Sequence, residues 1–509
     1  MSRCFIASVA ALVLTAAPLS FAQYPAQRPA RATPAPAESS HTIIPGRRLQ
    51  VIRGLGFELQ CDSIGGWNQG MPDERLSVPH DLVPEERQRL YREMFKGFRY
   101  CRLAAGVFWR GLDREGKYFQ GRWPEQMDGL REMMKESGLR GVSLEYWTPA
   151  PFWKANNSLR GADQKTNVLR CFGPAFAQDP IYKGDRKRFL DDFANACAKD
   201  LATLRAHDIP VSFWGLANDP KIQGGDPGFG TCSYTPDQYA VVFNAVAPVL
   251  RAQDPRMIII ADSGRLDYAA RVCKNPDDRA MIGALTLHHN GSDSKVIKPT
   301  VESIRKRFGN DLPVFQNEYY YIAAEATPSR CMNTVQHIMN WFQLGGAPSW
   351  FWLHALKPVG SGGADGLCLG YWRPSKDTST PPATSRFAAL KPGHWTWNKY
   401  NWNAVVGFVR HMPWDCTAVA VEEEKPDDDL RIFAYQRPDG KLVVVLSNRS
   451  FAPHTFHINP GLSRSTFKGY RYTPDEAGTD FMGLNAGTLP GERFSPTLAD
   501  MSWEFWVQQ

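Results

Sequence analysis

Two carboxylates, Asp219 and Glu318, occupy positions from which acid–base or nucleophilic chemistry could be performed. Residues 209–216 form an apolar run before the Asn-Asp-Pro corner that contains Asp219, and residues 314–318 form a similar run that ends at Glu318. Polar residues and proline terminate the first run abruptly, as they do at the end of a strand. A carboxylate at the carboxyl end of a strand lies where a (β/α)8 barrel keeps its catalytic groups.

A pair of such carboxylates is typical of enzymes that cleave glycosidic bonds. Retaining hydrolysis needs an ionised nucleophile and an acid/base about 5–5.5 Å away. Glu318 suits the nucleophile, Asp219 suits the acid/base, and Asn218 could donate a hydrogen bond to a sugar hydroxyl. A single strand-end carboxylate is more often a helix cap or a surface ion partner. Two of them, on the fourth and seventh predicted strands, favour the catalytic interpretation.

The elements that must position these residues alternate between strand and helix about eight times, which is the pattern of a (β/α)8 TIM barrel, an α/β fold. The eight strands are predicted within 49–60 and at 98–103, 142–147, 209–216, 257–261, 282–288, 314–318 and 349–353. Beyond residue 402 the pattern changes to short strands with turns between them. We therefore predict a barrel over 42–402 and a C-terminal all-β sandwich over 403–509, which a strand from 42–52 could complete.

Further polar and aromatic residues are predicted at the same rim of the barrel. Candidates for contact with a substrate are Glu145, Asn218, Trp67, Trp147, Trp350 and Trp352. Tryptophan offers a flat surface for a sugar ring, but it is equally a core residue. Glu145 is more simply explained as the partner of a rim Arg or Lys.

Several motifs occur together in one order along the chain. Residues 147–158 read Trp-Thr-Pro-Ala-Pro-Phe-Trp-Lys-Ala-Asn-Asn-Ser, residues 218–220 read Asn-Asp-Pro, and Arg102 lies in Tyr-Cys-Arg-Leu. Residues 440–450 read Gly-Lys-Leu-Val-Val-Val-Leu-Ser-Asn-Arg-Ser. With these motifs the chain resembles family 30 glycoside hydrolases, a barrel-plus-sandwich group of retaining enzymes, over residues 45–509.

The resemblance implies roles for individual residues. Glu318 stands where the family has its nucleophile, Arg102 where an arginine steadies that nucleophile, and His288 and His289 where a histidine lies near the site. Arg102 could instead simply pair with a core carboxylate, and either histidine could pack at the rim. Asp219 stands where the family has its acid/base Glu. The shorter side chain draws the carboxyl group back by about 1.5 Å, the length of one C–C bond.

The shorter acid leaves three outcomes open. The backbone could shift inward and preserve retention, or the wider gap could admit a water and favour inversion, for which about 6.5–9.5 Å is typical. Proton donation could instead be impaired, which would leave a carbohydrate-binding protein. Glu145 is an additional carboxylate at the rim and could take over as the acid. We expect a carbohydrate substrate in every case, and the sugar itself is not predicted.

The ends and the bulk properties of the chain restrict its class. Residues 1–22 have the charge, apolar stretch and Ser-Phe-Ala ending of a secretory signal, and residues 23–41 are a Pro- and Ala-rich flexible linker. We therefore expect a secreted or periplasmic protein. No later apolar stretch is long enough to span a membrane. The net charge of +7 is scattered, so nucleic-acid binding is not expected.

The cysteines and histidines indicate neither a metal nor a cofactor. Of ten cysteines, Cys4 lies in the signal, which leaves an odd number in the exported chain. No Cys-x-x-Cys or Cys/His spacing typical of a metal site occurs. Cys171 and Cys232 are candidates for a disulfide in an exported protein. The oligomeric state is not predicted.

Overall fold

The computed structural model of the chain describes residues 36–59, 80–103, 125–158, 160–161, 163–220, 230–321, 325–360, 364–462 and 465–509. The predicted signal sequence, Trp67 and most of the predicted linker lie outside the described residues. Residues 36–509 form one compact unit. Ordered structure begins earlier in the chain than predicted, because a strand starts at Ala37, within the segment expected to be a flexible linker.

Eight parallel strands form the barrel. Seven neighbouring pairs share ladders, and a bridge between Ile260 and Ala284 joins the two outermost strands, which closes the sheet. Continuous apolar runs are expected here because both faces of such a strand are buried. All eight predicted strands are confirmed. Their bounds are Gly54–Glu58, Tyr100–Leu103, Gly141–Glu145, Val211–Gly215, Ile258–Ile260, Leu285–Leu287, Val314–Tyr319 and Ser349–Trp352.

Helices alternate with these strands, and some of them begin at capping residues. Thr235 and Gln238 form a reciprocal capping box before the helix that starts at Pro236, and Thr327 caps the helix that starts at Pro328. The helices are Pro84–Leu90, Glu125–Ser137, Arg186–Ala206, Pro236–Gln253, Leu266–Val272, Pro276–Met281, Ile297–Phe308, Pro328–Gln343, Ala364–Leu367 and Lys399–His411. Within the ranges given above, none of them has the length and apolar character to cross a membrane.

Short helical segments complete the connections between these elements. A π-helical turn, Tyr91–Phe95, follows the first helix directly. The 3₁₀ turns are Pro151–Trp153, Arg170–Phe172, Phe176–Gln178, Ser294–Val296 and Thr479–Phe481.

Nine further strands form the sheet that builds the sandwich. Its N-terminal strand, Ala37–Ile52, pairs antiparallel with Cys416–Glu423 and parallel with His454–Asn459, so both ends of the chain contribute to this domain. The other strands are Leu430–Gln436, Leu442–Asn448, Thr466–Tyr472, Leu484–Pro490, Thr497–Leu498 and Ser502–Gln508. Apolar residues of this sheet form a second core of their own.

The connection from barrel to sandwich contains a small sheet of its own. Its three strands are His354–Pro358, Cys368–Trp372 and Trp395–Trp397. The helix Lys399–His411 spans the predicted boundary at residue 402. It packs against helix Pro328–Gln343, which in turn packs on the sandwich strand Leu430–Gln436. The sandwich is therefore seated directly on barrel helices.

Candidate active site

Polar residues end five of the eight barrel strands at one rim. Glu58, Arg102, Glu145 and Glu318 lie in the last two residues of the first, second, third and seventh strands. The Asn-Asp corner follows the fourth strand. Because all eight strands are parallel, their carboxyl ends meet at one rim of the barrel, where such enzymes hold their sites.

The side chain of Arg102 joins these groups into one network. Its guanidinium is buried and lies 2.6 Å from Glu58 Oε2, 2.9 Å from Glu145 Oε1 and 2.7 Å from Glu318 Oε2. It also donates to Asn218 Oδ1. Burial opposes the charge on Arg102, but the three carboxylates outweigh it and raise the pKa of Arg102 well above its usual value. This one side chain thus ties together residues from four strands.

Glu145 lies beneath the rim and is fully buried. It accepts from Arg102 through both oxygens, from Asn317 Nδ2 at 3.1 Å, and from the hydroxyl of Ser263. Burial alone would raise the pKa of Glu145, but Arg102 and Ser263 lower it to about 2. A carboxylate without a proton and without exposed surface is not placed to act as a general acid. The structure instead gives Glu145 the ion-pair role.

Glu318 is held in a defined orientation. Its residue is 6% exposed, Arg102 binds Oε2, and Oε1 lies 3.8 Å from His288 Nδ1. The side-chain amide of Gln316 donates to the backbone carbonyl of Glu318, which fixes the strand locally. Oε1 is therefore the oxygen that remains available for chemistry.

Asp219 has a different environment. Its side chain is 34% exposed, and Arg265 Nη1 lies 4.0 Å from its Oδ1. The backbone has φ of 41°, in the left-handed region that Asp tolerates better than most residues. Together with Glu318 and Glu58, the charge on Asp219 adds to the effect of burial in raising the pKa of Tyr320. Asp219 and Glu318 therefore act on the same phenol.

Asn218 joins the corner to the network below. A guanidinium can only donate, so the group facing Arg102 is the amide oxygen of Asn218, and its NH2 group is directed elsewhere. The backbone N–H of Asn218 donates to the carbonyl of Tyr146 at 2.8 Å. This arrangement leaves a donor next to Asp219.

The two predicted histidines have different surroundings. His288 is close to Glu318, and its ring covers Gly264, where an added Cβ would lie 2.7 Å from the imidazole. His289 packs edge-on near Trp341, and burial lowers its pKa. The structure thus brings His288, and not His289, next to Glu318.

The predicted aromatic wall is only partly present. Trp147 is half-buried at the end of the third strand. Trp350 and Trp352 are fully buried, and their indole N–H groups donate to His337 Nδ1 and to the carbonyl of Leu367. The expectation that these two rings face a substrate is therefore not met, because their shared face packs in the core. Trp67 cannot be placed, since it lies outside the described residues.

One further carboxyl group below the rim has an unusual environment. Asp262 is fully buried, and its Oδ1 accepts from the backbone N–H and the hydroxyl of Thr286. Burial, with the nearby charge of Glu145, outweighs those hydrogen bonds and raises the pKa of Asp262 to about 7. Asp262 holds the backbone beside Ser263 rather than facing the rim.

Sequence reasoning missed four members of the network: Glu58, Ser263, Arg265 and Asn317. Glu58 ends a barrel strand as Glu318 does, so the same signal could have identified it. The others need the fold, because only the closed barrel brings residues 263 and 317 to Glu145.

The cysteines and potential metal ligands do not form a further site. Cys171 carries a free thiol whose pKa burial raises to about 12, so the suggested Cys171–Cys232 disulfide is absent. In the ranges for which the structure gives positions, no three His, Cys, Asp or Glu side chains are grouped as metal ligands.

Comparisons with known proteins identify a matching family domain and similar solved structures. Residues 417–478 match the glycosyl hydrolase family 30 beta sandwich domain. A search of curated proteins by sequence finds no match. A conserved exported protein from Bacteroides fragilis has a similar structure, with a TM-score of 0.68 and 15% identity over 92% of this chain and 100% of that one.

Two solved xylanases also share the fold. The catalytic domain of family 30 xylanase C from Talaromyces cellulolyticus has a TM-score of 0.65 and 14% identity over 92% of this chain and 100% of that one. A family 30 subfamily 8 xylanase from Clostridium acetobutylicum has a TM-score of 0.60 and 17% identity over 92% and 99%. The resemblance predicted from the motifs is thus confirmed for the fold and for the sandwich.

Proposed function

We propose, from a fold shared with family 30 glycoside hydrolases, that this protein is a retaining O-glycoside hydrolase with Glu318 as nucleophile and Asp219 as acid/base. The observation that carries the proposal is the guanidinium of Arg102, which binds Glu318 Oε2 and Asn218 Oδ1 at once. It links the nucleophile to the residue next to the acid. An unrelated pair of strand-end carboxylates would not need such a link.

The first step follows from the orientation of Glu318. Oε1 attacks the anomeric carbon, the bond to the leaving oxygen breaks, and Asp219 gives its proton to that oxygen. Arg102 stays on Oε2 and keeps the attacking oxygen directed out of the network. The amide NH2 of Asn218 is placed to donate to a hydroxyl of the same sugar.

The second step reverses the proton transfer. Asp219, now a carboxylate, removes a proton from water, whose oxygen attacks the anomeric carbon and releases Glu318. The exposure of Asp219 supports this role, because an acid/base must meet both the leaving group and solvent water.

The same exposure supports a second candidate, a carbohydrate-binding protein with impaired catalysis. The Asp219 carboxyl is one C–C bond shorter than that of Glu, which limits its reach toward a leaving group, and Arg265 Nη1 lies 4.0 Å from its Oδ1. The two candidates differ in whether Asp219 delivers a proton.

Substrates with different leaving groups separate the candidates. Glu318→Gln should lower kcat by at least about 1,000-fold on every substrate, since it removes the nucleophile. The exposed Glu302→Gln is the matched control and should change nothing. Asp219→Asn should retain the first step with a dinitrophenyl leaving group, which needs no proton, and should lose activity on an unactivated polysaccharide.

Asp208→Asn controls for the backbone change, because Asp208 is exposed and also has a positive φ, of 59°. If the wild type binds a saccharide but turns over only the activated substrate, the impaired-acid candidate is correct. NMR of the first-formed anomer decides stereochemistry, and an inverted product would contradict the retaining mechanism.

The substrate class and location are also proposals. Structural relatives are described as xylanases and as an endo-β-1,6-glucanase, so xylan and a 1,6-glucan are the first polymers to test. Export follows from the signal-like residues 1–22, and expression with and without this segment, followed by fractionation, tests it.

A further inference from the structure

A cleft of about 680 Å³ lies at the amino-terminal end of the barrel, where the sandwich meets it. Its walls come from the start of two barrel strands, from the end of helix Lys399–His411, and from sandwich strands. Its size is within the range of about 300–1,000 Å³ typical of ligand sites. We propose that this cleft is a second, non-catalytic site that binds an acidic saccharide.

Four cationic side chains line the cleft: Lys96, Arg140, Arg410 and Arg437. A single carboxylate, Asp415, lies among them, and Arg99 Nη1 binds it at 2.5 Å. Four like charges gathered at one concave surface attract a ligand that carries negative charge.

Arg410 is already engaged by the protein, since it donates to the backbone carbonyls of Glu93 and Lys96, but the other cations are only partly satisfied. Arg140 and Lys96 are exposed, and neither forms an ion pair with any residue that the structure describes. The Nε of Arg437 is buried and finds no acceptor within the described chain, while its Nη2 lies 3.4 Å from Asp439. A buried donor without an acceptor is costly unless a ligand or water satisfies it.

Aromatic rings among these charges favour a saccharide over a simple anion. Trp414 is half-buried, and its indole N–H donates to the carbonyl of Gly97 at 2.8 Å, which fixes the ring. The guanidinium carbons of Arg99 and Arg140 lie 5.8 and 5.9 Å from its centroid. Tyr470 lines the same cleft. A fixed ring flanked by guanidinium groups can stack on a sugar while they bind its acidic group.

A second hollow of about 550 Å³ adjoins the cleft and shares Lys96, Arg410 and Met482 in its lining. Glu93 and Asp480 also line this hollow, so the acidic group of the ligand is expected in the cleft itself. The two hollows together have room for more than one sugar ring. The carbohydrate context comes from the proposed function, but binding here requires no catalysis and lies at the opposite end of the barrel from Glu318.

Calorimetry with the full chain carrying Glu318→Gln tests the inference, because that background prevents cleavage of the ligand. We expect a galacturonate hexamer to bind, and a neutral xylose hexamer to bind at least tenfold more weakly at this site. Lys96→Gln with Arg140→Gln should weaken galacturonate binding at least tenfold. Lys306→Gln with Arg307→Gln, on an exposed helix face, is the matched control and should leave binding unchanged.

Other outcomes overturn the inference. Equal binding by the Lys96/Arg140 variant and its control would remove the cleft as the site. Inorganic phosphate competing as well as the hexamer at equal concentration would make it a simple anion site. Hydrolysis of a small aryl glycoside should be the same in wild type and in the Lys96/Arg140 variant, so loss of hydrolytic function and loss of this site are separately visible.

Discussion

The two sides of the candidate active site are built differently. On one side Glu318 is buried in a strand, and a guanidinium that two further carboxylates anchor holds it. On the other side the Asp219 side chain is one-third exposed, follows a strand end, and has its Oδ1 4.0 Å from Arg265 Nη1. One carboxylate is buried within an ion network, and the other is partly open to solvent.

This difference matches the two roles that we propose for Glu318 and Asp219. A nucleophile benefits from a preorganised position, because small displacements of the attacking atom cost much of the rate. An acid/base exchanges protons with both leaving group and water, so it needs access more than rigidity. The contrast also explains how Asp can stand at position 219: the rigid half of the site does not depend on the length of that side chain.

The largest effect is expected from breaking the rigid side at Arg102. Arg102→Met would leave Glu58, Glu145 and Glu318 buried without their cation, and we expect about 3–5 kcal/mol lower free energy of unfolding. Urea denaturation measures it. Arg205→Met removes an exposed pair with Asp254 and should cost less than about 1 kcal/mol. A similar small loss in both variants would contradict the network's importance.

Substitution of Glu145 is expected to have the next largest effect on the free energy of unfolding, and that effect depends on pH. Its pKa of about 2 in the folded protein is below the usual 4.5, so its stabilisation is complete above pH 4.5 and is lost as the pH falls toward 2. The contribution is up to about 3 kcal/mol. Unfolding of Glu145→Gln, measured at several pH values, should show a shallower decline in this window than wild type.

Asp262 titrates with the opposite sign and at higher pH. Its folded pKa of about 7 is above the usual 3.8, so its contribution to stability falls as the pH rises from about 4 to 7. The pH ranges in which Glu145 and Asp262 change the stability scarcely overlap. Wild type and Glu145→Gln can therefore be compared below pH 4.5. An unchanged slope there in Glu145→Gln would show that Arg102 does not hold this carboxylate charged.

The contrast also shows what sequence could predict. The barrel was predictable because eight apolar runs are each ended by polar or turn residues, and Glu318 and Asp219 were identified as residues at such ends. Arg102 was identified by the resemblance of its Tyr-Cys-Arg-Leu motif to the family. These features are local in the chain, and the parallel barrel brings their ends together without further information.

Features that depend on contacts in the folded protein were not predictable from the sequence. Trp350 and Trp352 share a face because strands have a period of two residues, but the sequence does not say whether that face meets solvent or helices. The partner of Glu145 is 43 residues away, at Arg102, and only the ladder between their strands makes the contact. The small sheet within 354–397 was hidden by a segment rich in proline, glycine and serine.

The smallest effect tests the contrast between Glu318 and Asp219 directly, through stability rather than activity. Glu318→Gln removes one charge from a buried ion pair and should lower the free energy of unfolding by about 1–3 kcal/mol. Asp219→Asn should change it by less than about 0.5 kcal/mol, because the side chain is partly exposed and Asn also tolerates a positive φ.

Both variants remove one negative charge at the same rim, so a long-range charge effect would change their stabilities equally. An equal loss would mean that Asp219 is held as firmly as Glu318. The proposed contrast between a buried nucleophile and a partly exposed acid would then be wrong. A larger loss at Glu318 alone would show that the contacts of Arg102 hold the Glu318 carboxylate in place. Among the residues whose positions are given, no other cation lies within 2.7 Å of the Glu318 or the Asp219 carboxylate.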